Sequence, residues 1–308
     1  MGSWKAEPGC RQLKEVQKVQ DKKLTGGKAV LLNIAVIVLM TAFAIIAHAI
    51  LPAPVDDIDF DSVLVQIFGF PFVAVSYFLV LFTHCALVLH FYGRHANCSR
   101  LEVGFRFGAA FAMLYLVAMQ EVLVEATPFG TWGYEYVRYQ FFMGLGDALP
   151  VLFLCLIIAY FSLNQDRSAA EQYSLGRARK IIITITVAAT FLGQRAIGYQ
   201  TGVVDSNVTV FPLPTYLWTL LFGLTLGYIC CILYPIYAAV AKDSLLPVRL
   251  TVVTIGLNWI FFNSFIGLIF SGAMPQMLLR SGIDIAVLFI TFLAIYPRPQ
   301  SCKGQLMQ

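Results

Sequence analysis

Charged residues make up only 12% of this chain, so the charges that fall inside its long apolar stretches are the first candidates for chemistry. An ionisable group near the centre of a membrane span costs about 2.5–3.5 kcal/mol on insertion scales, so such a group persists where it pairs or where it binds something. Five residues qualify: Glu121, Asp147, Arg195, Arg280 and Asp284. Arg195 is the deepest. It lies about eight residues before the end of its stretch, on the order of 12 Å at 1.5 Å per residue. A guanidinium at that depth seeks a carboxylate able to accept two parallel N–H bonds, and Glu121, Asp147 and Asp284 are the acids within reach. Gln120 and Gln194 adjoin two of these residues, and Tyr199, Asn258 and Asn263 add further polar groups.

Two readings of the set follow. In the first, Glu121, Asp147, Arg195, Gln120, Gln194, Tyr199, Asn258, Asn263 and Asp284 converge on one outward-facing polar pocket for a small molecule or ion. In the second, the charges form an ion-pair clamp that holds helices together and binds nothing. Arg280 and Asp284 are four residues apart, which lets them pair on one helix without a third partner. Asp147 sits in Gly144-Leu-Gly-Asp-Ala-Leu-Pro150, read here as a helix N-cap with Pro150 in the first turn. The sharper alternative is a broken helix whose exposed backbone binds an ion or substrate.

No cofactor and no metal is expected. His84 and His90 are six residues apart, about 240° around a helix, and His48 and His95 fall at opposite membrane edges. No metalloprotease helix, nucleophile elbow or phosphate-binding loop occurs. The run Asp56, Asp57, Asp59, Asp61 resembles one aspartate-rich metal–diphosphate motif of membrane prenyl-transfer enzymes. The second such motif is missing and the run falls on the outer side, so it reads as an acidic outer loop, with a divalent-cation contact as the lesser alternative. Asn207-Val-Thr209 is a glycosylation acceptor only if the chain enters a secretory pathway.

The elements that must position these residues are membrane spans. Hydrophobic residues are 59% of the 308 and charged residues 12%, where an ordinary soluble domain carries about 25% charged residues, and Ile67 to Phe91 contains no Asp, Glu, Lys or Arg. About 20 residues cross the hydrocarbon core, which predicts eight spans at 28–50, 63–91, 104–125, 140–163, 180–203, 215–240, 250–272 and 276–296. A barrel would need alternating ten-residue strands, and none is present. The expected fold is an all-α integral membrane protein, an eight-helix transmembrane bundle. Residues 1–27 read as a basic cytoplasmic segment, 28–297 as the membrane domain and 298–308 as a cytoplasmic tail.

Orientation follows from the Lys and Arg count on each side. With both termini inside, all the basic residues fall on the inner side except Arg138, Arg195 and Arg280. The outer side gathers Asp56, Asp57, Asp59, Asp61, Glu125, Glu135 and Asp205. The expected location is the cell membrane, crossed many times. A first apolar run from Ala29 to Ile50 is too long for a signal-peptide core, and neither end carries a lipidation motif.

A net charge of +4 is too small for a nucleic-acid-binding face. The seven cysteines lie in inner segments or spans, with no Cys-x-x-Cys spacing, so neither a disulfide scaffold nor a redox motif is expected. Phe129, Trp132, Tyr134, Tyr136, Tyr139, Phe141 and Phe142 crowd the approach to the fourth span, as an interfacial belt or as a wall against which a ligand stacks. Gly104–Gly108, Gly198–Gly202 and Gly223–Gly227 have the spacing of close helix contacts, and such a seam can also join copies of the chain or a partner membrane protein.

Spans four and eight share Gly, Val-Leu-Phe and Tyr at matched spacing, with Gly146, Val151, Leu152, Phe153 and Tyr160 against Gly282, Val287, Leu288, Phe289 and Tyr296. That is the pattern of a weak four-plus-four parallel repeat. Function then divides three ways: a transport or ligand-sensing protein with a polar pocket, a membrane-embedded enzyme acting on a lipid-like substrate, or a non-catalytic subunit of a larger complex. Membrane lipids are the expected partners, with a small molecule or ion in the first case. An enzyme needs two titratable groups in hydrogen-bond reach at a cleft. A transporter needs unwound helix at Gly144–Pro150, and an inert anchor needs Arg195 fully paired with no cavity beside it.

Overall fold

The computed structural model describes residues 26–51, 60–96, 98–124, 133–163, 175–240 and 245–296. Glu125, Phe129, Trp132, Asp56, Asp57, Asp59 and both terminal segments lie outside the described residues. Among the described residues the chain is helical with no strand, because a segment surrounded by hydrocarbon must satisfy its own backbone hydrogen bonds.

Helix α1 spans Gly26–Ala49. The second span is not one helix over 63–91 but two, α2 at Val63–Phe68 and α3 at Phe70–Gly93. Gly69 breaks it with φ 79°, a left-handed conformation that glycine adopts without steric cost, and Pro71 sits in the first turn of α3 where its missing N–H is harmless. Helix α2 is fastened to the distal end of the seventh span. Ser62 Oγ accepts from Val65 N and donates to Leu268 O, and Asp61 Oδ1 accepts from Ser271 N at 2.8 Å.

Helix α4 covers Arg100–Ala118, capped by Ser99, and tightens into a 3-10 turn at Met119–Leu123 that carries Glu121. Helix α5 runs over Tyr134–Ser162, starting six residues before the expected 140. Its first turns are aromatic but helix-compatible, with a Glu135–Arg138 ion pair at 2.7 Å. Asp147 is therefore in mid-helix, which overturns the N-cap reading, and Pro150 lies inside the helix. The unwound segment that a discontinuous helix requires is likewise not formed.

Helix α6 spans Arg177–Thr201 and ends at Gly202, φ 71°. Helix α7 spans Pro212–Val240 with Pro235 inside. The seventh span opens as a π-helix over Val248–Gly256 and continues as α8, Leu257–Ile269. Helix α9 spans Met274–Ile295. Eight of these segments are long and apolar enough to cross a membrane. The Lys and Arg count is expected to place the end of the bundle where α1 and α6 finish on the outer side.

Packing joins α4 to α5 and α6 to α7 most intimately. A Cβ at Gly104 would lie 2.7 Å from Ala159 Cβ, and one at Gly227 would lie 2.7 Å from Thr184 Cα. The Gly198–Gly202 spacing is not a helix seam, since Gly198 faces Val204 of the following turn and Gly202 is the helix cap. Some helix neighbours in the first four spans recur in the last four, although the second span packs on the fourth without a matching contact of the sixth on the eighth. The first span packs on the second and fourth as the fifth packs on the sixth and eighth, and across the halves α4 meets α7 while α3 meets α8. One core of buried apolar residues runs through the bundle, and Val73, Ile269 and Phe270 form a small separate cluster. The spanning cysteines Cys85, Cys155, Cys230 and Cys231 are buried and unpaired as thiols.

Candidate functional site

The charged residues singled out in the sequence separate into two groups. In the first, Arg195 reaches across from α6 to α9 and α4. Its Nε donates to Asp284 Oδ1 at 2.9 Å, its Nη2 to Asp284 Oδ2 at 2.6 Å and its Nη1 to Glu121 Oε1 at 2.8 Å. Gln194 Nε2 and Trp259 Nε1 donate to the same Asp284 carboxylate, at 2.7 Å and 3.1 Å. The rings of Phe191 and Trp218 lie 5.4 and 5.5 Å from the guanidinium carbon, within cation–π range. Arg280 Nη2 donates to Asn263 Oδ1 and stands 3.5 Å from Glu121 Oε2. Asn263 in turn donates to Ser281 Oγ at 2.7 Å.

Arg195, Glu121, Arg280 and Asp284 are all at most 3% exposed. Among the described residues two cations face two anions here, and pairing is the condition for burying charge at tolerable cost. Asp284 faces Arg195 rather than Arg280 one turn earlier, because a bidentate guanidinium is a stronger partner than a pair formed along one helix surface. The local i,i+4 pairing expected from the sequence is thereby replaced. Neither of the two large cavities described below is lined by Arg195, Glu121 or Asp284.

Three of the expected site residues take up separate duties. Tyr199 OH bonds Thr219 Oγ1 at 3.0 Å. Gln120 Nε2 donates to Leu116 O and Gln140 O, tying the end of α4 to α5. Asn258 Nδ2 donates to His84 Nδ1 at 3.1 Å and to Cys85 Sγ at 3.3 Å, while His84 Nε2 donates to Val253 O at 3.0 Å. That carbonyl belongs to the π-helix, where the widened turn redistributes backbone acceptors.

Asp147 stands in the second group, with a partner that the sequence did not single out. His48 Nε2, in the last turn of α1, lies 2.9 Å from Asp147 Oδ1. Local sequence on α5 makes this approach feasible. Gly146 presents no side chain, and a Cβ there would fall 2.9 Å from His48 Cδ2 and 3.1 Å from its Nε2. Gly144 does the same for α4, since a Cβ there would meet Leu116 O at 3.1 Å. Pro150, with no N–H, leaves the Gly146 carbonyl without its helical donor. The Gly-x-Gly-Asp-x-x-Pro run is thus a docking notch for the imidazole and for α4.

The pair borders a cavity of about 530 Å³ enclosed by α1, α3, α5, α8 and the end of α4. Asp147 is 1% exposed and the His48 side chain 20%, so the imidazole is the member that faces the space. Tyr77, Tyr136, Tyr139 and Gln140 supply the other polar groups, and the remaining walls are apolar, with Phe60, Phe70, Phe78 and Phe265 prominent. Phe60 stacks on Phe70 at 4.4 Å, and Phe78 meets His48 edge-on at 5.5 Å. Of the aromatic run before the fourth span, Tyr136 and Tyr139 line the cavity, whereas Tyr134, Phe141 and Phe142 are exposed on the helix exterior.

Among the described residues no cluster of three or more His, Cys, Asp or Glu is arranged to hold a metal ion. Comparison with known proteins finds no matching family model, no matching curated protein and no matching solved structure. Function must be argued from the site itself.

Proposed function

We propose that this multi-pass membrane protein binds a lipid-like molecule, an apolar body with one polar group, in the outer-end cavity, with His48–Asp147 as the polar terminus. The observation that carries the reading is a titratable pair at 2.9 Å bordering a largely apolar space of about 530 Å³. Ligand cavities fall in the range of about 300–1,000 Å³ and combine apolar walls with a few convergent polar groups. A sugar or a bare ion would leave most of its polar surface unmatched on the Phe and Ile walls, at a cost of kilocalories per group.

Arg195, Glu121 and Asp284 serve in this account as the clamp that fixes α4, α6 and α9, and not as ligand contacts. The binding protein is of sensing or carrying type, set in the cell membrane with both termini cytoplasmic, and the recurrence of helix neighbours supports a four-plus-four origin. A second reading, an enzyme acting on the bound lipid-like molecule, is favoured by one feature. An imidazole oriented by a buried carboxylate is a competent general acid–base unit. The test is photolabelling of the full chain in lipid nanodiscs with a diazirine-bearing hexadecanol. Adducts on the cavity residues of α5 support the reading, and adducts confined to the lipid-exposed faces contradict it.

A further inference from the structure

Beside the cavity, on the membrane-facing side of the bundle, a second space of about 440 Å³ runs between α2–α3 and α8. Leu64, Phe68, Phe72 and Val80 line it and are 41–57% exposed; Phe72 and Val80 lie within the second span, where the surrounding medium is lipid chains. Tyr77 is the one residue that lines both this groove and the His48–Asp147 cavity. We propose that the groove is the portal through which the hydrocarbon chain of a lipid-like ligand passes from the bilayer into the cavity, with the Tyr77 ring as the door between them. The proposal rests on the ligand-binding reading above.

Four features of the seam make the door movable. The Tyr77 hydroxyl is tethered only by a long contact to Phe262 O at 3.4 Å, near the limit of a hydrogen bond. Its ring packs on Phe265 at 4.5 Å and on Phe78 at 5.0 Å, contacts that a χ rotation exchanges without breaking a polar network. Between the outer surface and Tyr77, α3 is held to α8 by the satellite cluster of Val73, Ile269 and Phe270 and not by the main core. Segments with few buried apolar contacts open at the lowest free energy. The break at Gly69 also uncouples α2 from α3, so the first turns of α3 can shift without moving the short helix that is pinned to Leu268.

The same probe tests the portal by rate. The full chain in vesicles is mixed with diazirine-bearing hexadecanol and flash-irradiated at increasing times, and adducts are counted separately on groove and cavity peptides. Ser76→Trp, which fills the groove from its half-buried wall, is expected to slow cavity labelling at least tenfold. Tyr77→Ala, which removes the door, is expected to speed it. Cavity labelling at the parental rate in both variants overturns the portal and leaves ligand binding intact. A parent labelled in the groove but never in the cavity overturns the binding reading, and the portal with it.

Discussion

His48 on the first span and Asp147 on the fourth approach to 2.9 Å, in the same helix relationship that places Arg195 of the fifth span on Asp284 of the eighth. Each half of the bundle thus fastens its first and last helices with one basic residue and one aspartate. The halves differ in what surrounds the pair. Arg195 is sealed by Glu121, Gln194, Phe191 and Trp218, whereas the His48 side chain keeps 20% of its surface and borders a cavity. The sealed pair acts as a fastener, and the open one is the candidate binding group.

The open pair is expected to be separable from stability. Asp147→Asn keeps the volume of the side chain and removes its charge, at a cost of about 1–3 kcal/mol for one weakened buried partner. Labelling of the cavity by diazirine-bearing hexadecanol should fall at least tenfold in the folded fraction. Parental labelling in this variant would show that the apolar walls bind without the pair.

The sealed pair should behave in the opposite way. Arg195→Gln leaves Asp284 buried without its bidentate partner, and breaking such a pair costs about 3–5 kcal/mol. Thermal unfolding of the purified protein should shift down sharply, with cavity labelling of the surviving folded protein unchanged. Replacing Arg195 and Asp284 together by Leu should recover part of the loss, because a neutral apolar contact carries no desolvation penalty. A stable Arg195→Gln protein that no longer labels would return Arg195 to the ligand site.

Gly146→Ala tests the notch on α5. The added methyl would stand 2.9 Å from His48 Cδ2, so either the imidazole withdraws from Asp147 or the helices part, at about 1–3 kcal/mol for an overpacked contact. Gly282→Ala is the matched control, with nothing within 4 Å of the new Cβ, and should be neutral or stabilising by up to about 1 kcal/mol. Equal effects of the two substitutions on unfolding temperature would remove the notch from the account.

A pH-dependent outcome is expected at the inner end, where Cys98 lies between α3 and α4. Burial pushes its thiol up to about 11, Glu102 adds to the rise, and Arg106 opposes it. A raised thiol pKa means that the reactive thiolate is scarce at neutral pH and grows as pH rises toward that value. Alkylation of Cys98 by iodoacetamide at pH 7.5, followed by peptide mass spectrometry, should be about tenfold or more slower than for an unperturbed thiol near 8.5. A rate that is already maximal at pH 8 would contradict it.

The eight spans are legible in the sequence because hydropathy and helix length are local properties, and their ends fall within a few residues of expectation except at the second span, which Gly69 breaks, and at α5. There, aromatic residues 134–139 read as an interface segment but continue the helix, so Asp147 moves from a cap to mid-helix. Which acid meets Arg195 is not a local property. It depends on how each helix is rotated about its own axis, and residues 121, 147 and 284 are equally plausible by depth alone. The pairing of His48 with Asp147 escaped notice because the two are 99 positions apart on different helices, and no spacing rule along one helix finds such a pair. The usable signal was Gly146 beside Asp147, a bare backbone next to a buried carboxylate, which marks where another side chain must fit.

The most direct measurement is an electron cryo-microscopy map of the full chain in lipid nanodiscs, read at the cavity bounded by Tyr136, Met143 and Phe265. The account predicts elongated non-protein density there, with one end within hydrogen-bond distance of His48 or Asp147. An empty cavity in a map that resolves ordered lipid on the outer faces of the bundle would contradict it.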